Sequence, residues 1–388
     1  MTSPIHSQAS NQGKTHTPVL KYMPQLDGLR AIAVLLVMVH HWLREVEWIN
    51  FLPNGAIGVD MFFVLSGFLI SQILLVEKQK IQQGAVSRGR VLKIFYLRRT
   101  LRIFPIYYLV IFAFVLIPAP YNKTDLADNF PWFLAYASNI LYYIQQSFDG
   151  VISHLWSLAA EEQFYLIWPL AILLVPASWL RQFIWGAIGF SIGFKVILLV
   201  WGDIFWAGTE LVALLTPSCF DAFGIGALLA YSRIYENGKG LVSSYSHLFA
   251  LVGLAIFVGI IFIPQTVLYH TLLRTSISLI AIYLIDQASL GRLKVGNTLL
   301  MNPMMRYLGR ISYGLYLLHQ FVPWGYRQVH YMAAGFSASR GYDWILVPKL
   351  DNVWIAFCIH FLILLGVASL SWFCFEKPIN QLKRHITY

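Results

Sequence analysis

The chain has 388 residues, of which 58% are hydrophobic, 16% aromatic and only 12% charged, with a formal net charge of +10. Soluble domains carry roughly 25% charged residues, so this composition and a mean hydropathy of +0.62 exclude an ordinary soluble domain. The positive charge, which in a soluble protein points to nucleic acid, reads here as the Lys and Arg excess of cytoplasmic loops, and no nucleic-acid partner is expected. Continuous apolar runs of about twenty residues, in place of ~10-residue alternating segments, favour helices over a β-barrel. The expected class is an all-α integral membrane protein, set in a lipid bilayer, with about ten transmembrane helices, both termini cytoplasmic and no soluble domain.

In chain order, residues 1–24 are polar, rich in Ser, Thr and Gln, and lack the apolar region of a signal peptide. They are expected to form a disordered cytoplasmic tail. The candidate spans are 27–45, 56–76, 103–119, 154–175, 182–201, 209–231, 246–264, 268–287, 308–328 and 352–374. The transmembrane domain thus fills 25–378, and 379–388 is a basic cytoplasmic tail. Cys219, Cys358 and Cys374 lie far apart in apolar segments without redox or metal-ligand spacing; they read as packing residues, and no metal is expected.

The segment 129–146, NFPWFLAYASNILYYIQQ, is apolar but short and holds Pro131, Ser138 and Asn139. If it does not cross, the inside segments carry most of the Lys and Arg, and the outside loops hold Arg44, Lys123, Arg340 and Lys349 alone. The outside loops then also hold Glu45, Glu47, Asp125, Asp128, Asp149, Asp203, Asp343 and Asp351. If it did cross, the basic 288–307 loop and the basic tail would face outward. The positive-inside bias therefore favours an external loop with an interfacial aromatic helix. No internal repeat is visible, which removes the usual sequence support for a transporter built from duplicated halves.

Ionisable residues within spans cost roughly 2.5–3.5 kcal/mol each, so each asks for a reason. In LDGLRAIAVLLVMVHHW, Arg30 and His41 are eleven residues apart, about three turns plus ~20°, and share one helix face about 16 Å apart. His40 points ~100° away. Asp60, near the start of the second span, falls close to the depth of His41, where a carboxylate can orient an imidazole; an outer-end helix cap is the plainer alternative. Ser66 lies about two turns deeper and suits close helix packing. Glu161 and Glu162 fall about ten residues into a span and face ~100° apart. Arg98 and Arg102 are i,i+4 neighbours that, with Arg99, can clamp a phosphate or simply anchor the helix on the inside. This layout suits a phosphorylated donor inside and an acceptor outside. It also suits a proton-coupled transporter or flippase for a polar or lipid-linked substrate, and spacing does not separate the two.

The stretches LDGLRAIAVLLVMVHH, GVDMFFVLSGFLIS, FYLRRTLRIFPIYY, HLWSLAAEEQFYLIWP, GRISYGLYLLHQ and FEKP occur in this order along nearly the whole chain. Together they resemble the membrane-bound acyltransferase-3 family, the bacterial O-acetyltransferases of surface polysaccharides. The resemblance implies an enzyme in the bacterial inner or plasma membrane. It would move an acyl group, usually acetyl, from cytoplasmic acyl-CoA (acetyl-CoA) to a hydroxyl of a surface glycan or glycolipid. It assigns His41, Arg30, Asp60 and Glu161 to the catalytic set and Arg98, Arg99 and Arg102 to the donor phosphates. Ser66, Glu162 and His319 would contact substrate or support the site.

Two departures stand out. Many members carry a C-terminal esterase-like domain, and this sequence ends at Tyr388; the step such a domain performs is either unnecessary or done by a separate periplasmic or extracellular enzyme. Members also often carry an arginine two residues before the aspartate in TPSCFDAFGIG, where Cys219 stands here, which puts any Arg pairing of Asp221 in doubt. The mechanism expected from these residues has His41 as the general base or the transient acyl carrier, oriented by Asp60 or Glu161. Glu376 of FEKP reads as a structural partner of cytoplasmic arginines.

Overall fold

The computed structural model describes residues 22–117, 126–148, 150–201, 211–263, 267–340 and 347–388. The tail expected over 1–24 lies outside them up to residue 21, as do Lys123, Asp125, Asp149, Asp203 and Asp343. Among the described residues there is no strand. The principal helices are α1 Pro24–Trp42, α2 Asn54–Gln82, α3 Arg88–Val115, α4 Leu155–Leu174, α5 Leu180–Val200, α6 Phe220–Tyr235, α7 Ser246–Ile261, α8 Val267–Ser289, α9 Ser312–Leu318, α10 Phe321–Ser339 and α11 Val353–Ser371.

Among the described residues, three helical stretches are long and apolar enough to cross a membrane: Glu47–Gln82, Ala177–Val200 and Val353–His385. Helices α1, α3 and α8 are of similar length but carry ionisable residues along their course, Arg30, Arg99 and Arg274 among them. Large apolar side chains such as Leu166, Leu174, Phe190, Leu251, Leu362 and Leu370 stand exposed on the outward faces of α4, α5, α7 and α11. Apolar belts of that extent are unstable in water and suited to lipid.

Helix α2 sits at the centre. Of its most apolar stretch 78% is buried, against 11% for α11. Glycine explains how closely its neighbours approach. A Cβ on Gly67 would lie 2.0 Å from the Phe223 carbonyl oxygen, and one on Gly226 would lie 2.1 Å from that of Val64. Thus α2 and α6 meet backbone to backbone, each supplying the glycine the other needs.

Several boundaries differ from the sequence expectation. Helix α3 begins fifteen residues before the expected 103, capped by the Ser87 hydroxyl, which accepts from the Arg90 N–H at 3.3 Å. Its arginines therefore lie within a helix rather than ahead of one. The expected span 209–231 opens with two 3-10 turns, Leu211–Leu214 and Thr216–Cys219, before α6. The segment 129–146 forms two short helices, Phe130–Leu134 and Ser138–Gln145. At 1.5 Å per residue the longer reaches only ~12 Å, too short to span. Tyr107 and Tyr108 donate to the carbonyls of Phe133 and Leu134 at 2.8 and 3.0 Å, and Gln163 donates to Tyr136 at 2.8 Å, binding this segment to α3 and α4.

The expected span 308–328 is broken. Helix α9 stops at Leu318 and α10 starts at Phe321. Pro323 has no N–H to offer the His319 carbonyl four residues earlier. The Trp42 indole fills that role, donating to the His319 oxygen at 3.1 Å. The break thereby holds His319 and Gln320 beside the end of α1.

Candidate active site

Two cavities lie along α1. The first is lined by Arg30, Ser66 of α2, Arg99 and Arg102 of α3, Glu161, Glu162 and Tyr165 of α4, and Tyr313 and Tyr316 of α9. Its volume is about 80 Å³. The Glu161 carboxylate accepts from the hydroxyls of Ser66 and Tyr165, whose oxygens lie 3.0 Å apart. Arg99 lies over the Tyr165 ring at 4.9 Å. Arg30 pairs with Asp27 at 3.4 Å. Glu162 Oε1 is buried without a hydrogen-bond partner. Both glutamates thus face one cavity, whereas the ~100° between them suggested separate surroundings.

Arg98 does not join this cavity. Its Nη1 donates to the Ile386 carbonyl at 2.7 Å, and its guanidinium lies over the Tyr388 ring at 5.9 Å. Burial lifts the Tyr388 phenol to about 12, so the ring stays neutral there. Glu376 accepts from Ser371 at 3.1 Å and, among the described residues, forms no ion pair with an arginine.

The second cavity, of about 210 Å³, is lined by His40, His41, Asp60, His154, Lys195, Arg274 and Tyr316, among others. His40 lies against Gly55, the ring occupying the space of a missing side chain, and shares the cavity with His41 although the two leave α1 in different directions. The rings form a chain: His40–His41 at 5.0 Å, His41–His319 at 5.0 Å and His319–His154 at 4.8 Å between centroids. A carbonyl can only accept, so His154 Nε2 donates to Leu317 at 3.0 Å and His319 Nδ1 donates to Tyr316 at 2.5 Å. His319 Nε2 is then a bare nitrogen, buried and unpartnered. His41 Nδ1 meets the Gln320 side-chain amide at 3.1 Å. The Gln320 Nε2 faces it and donates, so Nδ1 accepts and the ring proton sits on Nε2. Among the described residues no group of three or more His, Cys, Asp or Glu is arranged to hold a metal ion.

The direct Asp60–His41 contact expected from their depth is absent. Asp60 Oδ1 accepts instead from Arg274 Nε at 2.6 Å. Arg274 further donates to the carbonyls of Ala213 and Ser218 at 3.0 and 2.9 Å, and its Nη1 lies 3.2 Å from the Cys219 sulfur. Lys195 pairs with Asp221 at 2.6 Å, and Thr275 donates to the same carboxylate oxygen at 2.5 Å. The arginine missing at position 219 is thus compensated by two cations from other helices: Lys195 serves Asp221, and Arg274 comes to rest against Cys219.

His154, Lys195, Gln320 and Arg274 were missed by sequence reasoning. For Lys195 and Arg274 the signal was present, since the cost of an ionisable residue in an apolar span applies equally to FSIGFKVILLV and TLLRTSISL. His154 lay in a quoted motif whose glutamates drew the attention.

Residues 23–372 match the family described as an acyltransferase domain, Acyl_transf_3. The chain belongs to the acyltransferase-3 family. Over 321 residues, 77% of this chain and 49% of the relative, it is 30% identical to the peptidoglycan O-acetyltransferase OatA of Listeria monocytogenes. Over 169 residues, 41% of this chain and 26% of the relative, it is 36% identical to the O-acetyltransferase OatA of Staphylococcus aureus. The chain spans about half the length of the curated relatives it matches over most of its own length. No solved structure matches it. Members of the acyltransferase-3 family are membrane proteins, in keeping with the apolar helices described above.

Proposed function

We propose that this chain is an integral membrane O-acyltransferase. It moves an acyl group, acetyl above all, from cytoplasmic acyl-CoA to a hydroxyl of a surface or lipid-linked glycan on the outer side. Ten spans with both ends cytoplasmic, in the inner or plasma membrane of a bacterium, accommodate the charge distribution best. The observation that carries the reading is the pairing of the two cavities on one helix: Arg30 lines the first and His41 the second, about 16 Å apart along α1. The arginine cavity then faces the donor and the histidine cavity the acceptor. The relatives' names point to a cell-wall glycan, peptidoglycan among the candidates.

In this mechanism Arg99 and Arg102 hold donor phosphates at the mouth of the first cavity, with Arg98 at its edge. The thioester end enters this cavity while the nucleotide stays outside. With the thioester carbonyl advanced from the first cavity to the second, His41 removes the acceptor hydroxyl proton as the oxygen attacks that carbonyl. The new C–O bond forms, the C–S bond breaks, and the departing sulfur takes up a proton as free CoA thiol. Gln320 orients His41, and Asp60 acts at one remove by fixing Arg274 in the cavity wall. Glu161, held by Ser66 and Tyr165, positions the α4 side of the donor cavity. A covalent acyl-His41 intermediate uses the same groups in two steps.

The test is transfer of radiolabel from acetyl-CoA to envelope glycan, in membranes containing this chain, its His41→Ala form, or neither. Label on glycan that requires His41 is the expected result, and label trapped on His41 without acceptor selects the two-step route. Intact acetyl-CoA in all three membranes overturns the proposal and favours transport of a polar or lipid-linked substrate.

A further inference from the structure

The two cavities are separate, and the residues they share are Val59 and Tyr316. The Tyr316 ring is buried between them, with the Phe62 ring at 6.0 Å on one side and those of His154 and His319 at 5.9 and 5.5 Å on the other. Its hydroxyl is latched by α4: it shares a 2.5 Å hydrogen bond with Ser157 and lies 3.3 Å from the His154 carbonyl oxygen. Ser157 in turn donates to that carbonyl at 3.1 Å. An acyl group passing from the arginines to His41 must therefore pass this ring.

We propose that Tyr316 is a gate and a length filter: its ring closes the passage between the cavities, and an acyl group longer than acetyl meets that ring on its way through. This rests on the acyl-transfer reading above. The residue sits on α9 just before the break at His319, where the backbone is least constrained by helix hydrogen bonds, so a small rotation of α9 can open the latch without unpacking α2. With Val59 as the only other shared wall residue, little else blocks the path once the ring withdraws.

The experiment has two readouts. In the first, Leu69, which lines the arginine cavity, is changed to cysteine. Right-side-out vesicles are treated with a membrane-impermeant methanethiosulfonate, and labelling of the parent chain is subtracted. Labelling is expected to be slow with Tyr316, a few-fold faster with Tyr316→Phe, which keeps the ring but lacks the latching hydroxyl, and about tenfold faster or more with Tyr316→Ala. In the second, kcat/KM for butyryl-CoA relative to acetyl-CoA is compared across the same variants. Discrimination of one or two methylenes is commonly 10- to 200-fold, so the ratio should rise by about tenfold or more in Tyr316→Ala and stay constant in Tyr316→Phe. Tyr316→Leu is carried in parallel and should fall between them, which keeps the test decisive if the alanine form does not reach the membrane. Unchanged labelling together with an unchanged ratio overturns the gate. If the parent chain transfers no acyl group at all, the acyl-transfer reading fails, and the labelling still decides whether Tyr316 closes the passage.

Discussion

The arginine cavity and the histidine cavity are both buried and both charged, yet they treat charge in opposite ways. In the histidine cavity every strong cation has a partner, Arg274 with Asp60 and Lys195 with Asp221, each at 2.6 Å. In the arginine cavity, among the described residues, Arg99 and Arg102 form no ion pair, and one oxygen of Glu162 has no hydrogen bond. Paired charges fix geometry and have little left to offer a ligand. Unpaired cations held out of water remain costly until an anion arrives. The first arrangement builds a wall behind the histidines, and the second suits a phosphorylated substrate that comes and goes.

The comparison can be broken at several points. The largest effect is expected at His41. Replacement by Ala should lower acyl transfer by about 10²- to 10⁴-fold, the usual range for a general base, with the protein still present in the membrane at normal amount. Next comes the scaffold: Arg274→Ala leaves Asp60 charged and buried, and should lower stability by about 3–5 kcal/mol. Thermal unfolding in detergent measures this. The double variant Asp60→Asn with Arg274→Gln should recover part of the loss, since no lone charge remains. A full loss in the double variant would mean that Asp60 and Arg274 do not stabilise each other.

Smaller effects are expected on the donor side. Arg99→Ala and Arg102→Ala should each raise the KM for acetyl-CoA by about tenfold, the worth of ~1.4 kcal/mol, while leaving thermal stability near that of the parent. A drop in stability as large as that of Arg274→Ala would erase the contrast between the two cavities. Arg98→Ala should raise KM only a few-fold, because its guanidinium is engaged with Ile386 and Tyr388 outside the cavity. Equal effects at all three arginines would instead place Arg98 on the donor.

The sequence made some of this legible for identifiable reasons. Helical periodicity is a local property, so the shared face of Arg30 and His41 could be computed before any packing was known, and each residue lines a cavity. The 129–146 segment, expected outside from the balance of Lys and Arg, folds as two short helices. What local periodicity does not contain is which helix faces which. Asp60 and His41 lie at similar depth, but Arg274, 214 residues further on, captures the carboxylate. The break at His319 needed two distant facts together, the missing N–H of Pro323 and the Trp42 indole that replaces it. Tyr316 was hidden for the same reason: a tyrosine in an apolar span carries no charge to mark it, and its place between two cavities exists only once α2, α4 and α9 are assembled.

The most direct test is the sidedness of transfer. Sealed right-side-out and inverted membrane vesicles receive radiolabelled acetyl-CoA on their outer surface, with glycan acceptor enclosed or external accordingly. Label should reach acceptor on the far side only in inverted vesicles, where the arginine cavity meets the added acetyl-CoA. Equal transfer in both orientations, or transfer to acceptor on the same side as the donor, would contradict the assignment of the two cavities to opposite faces of the membrane.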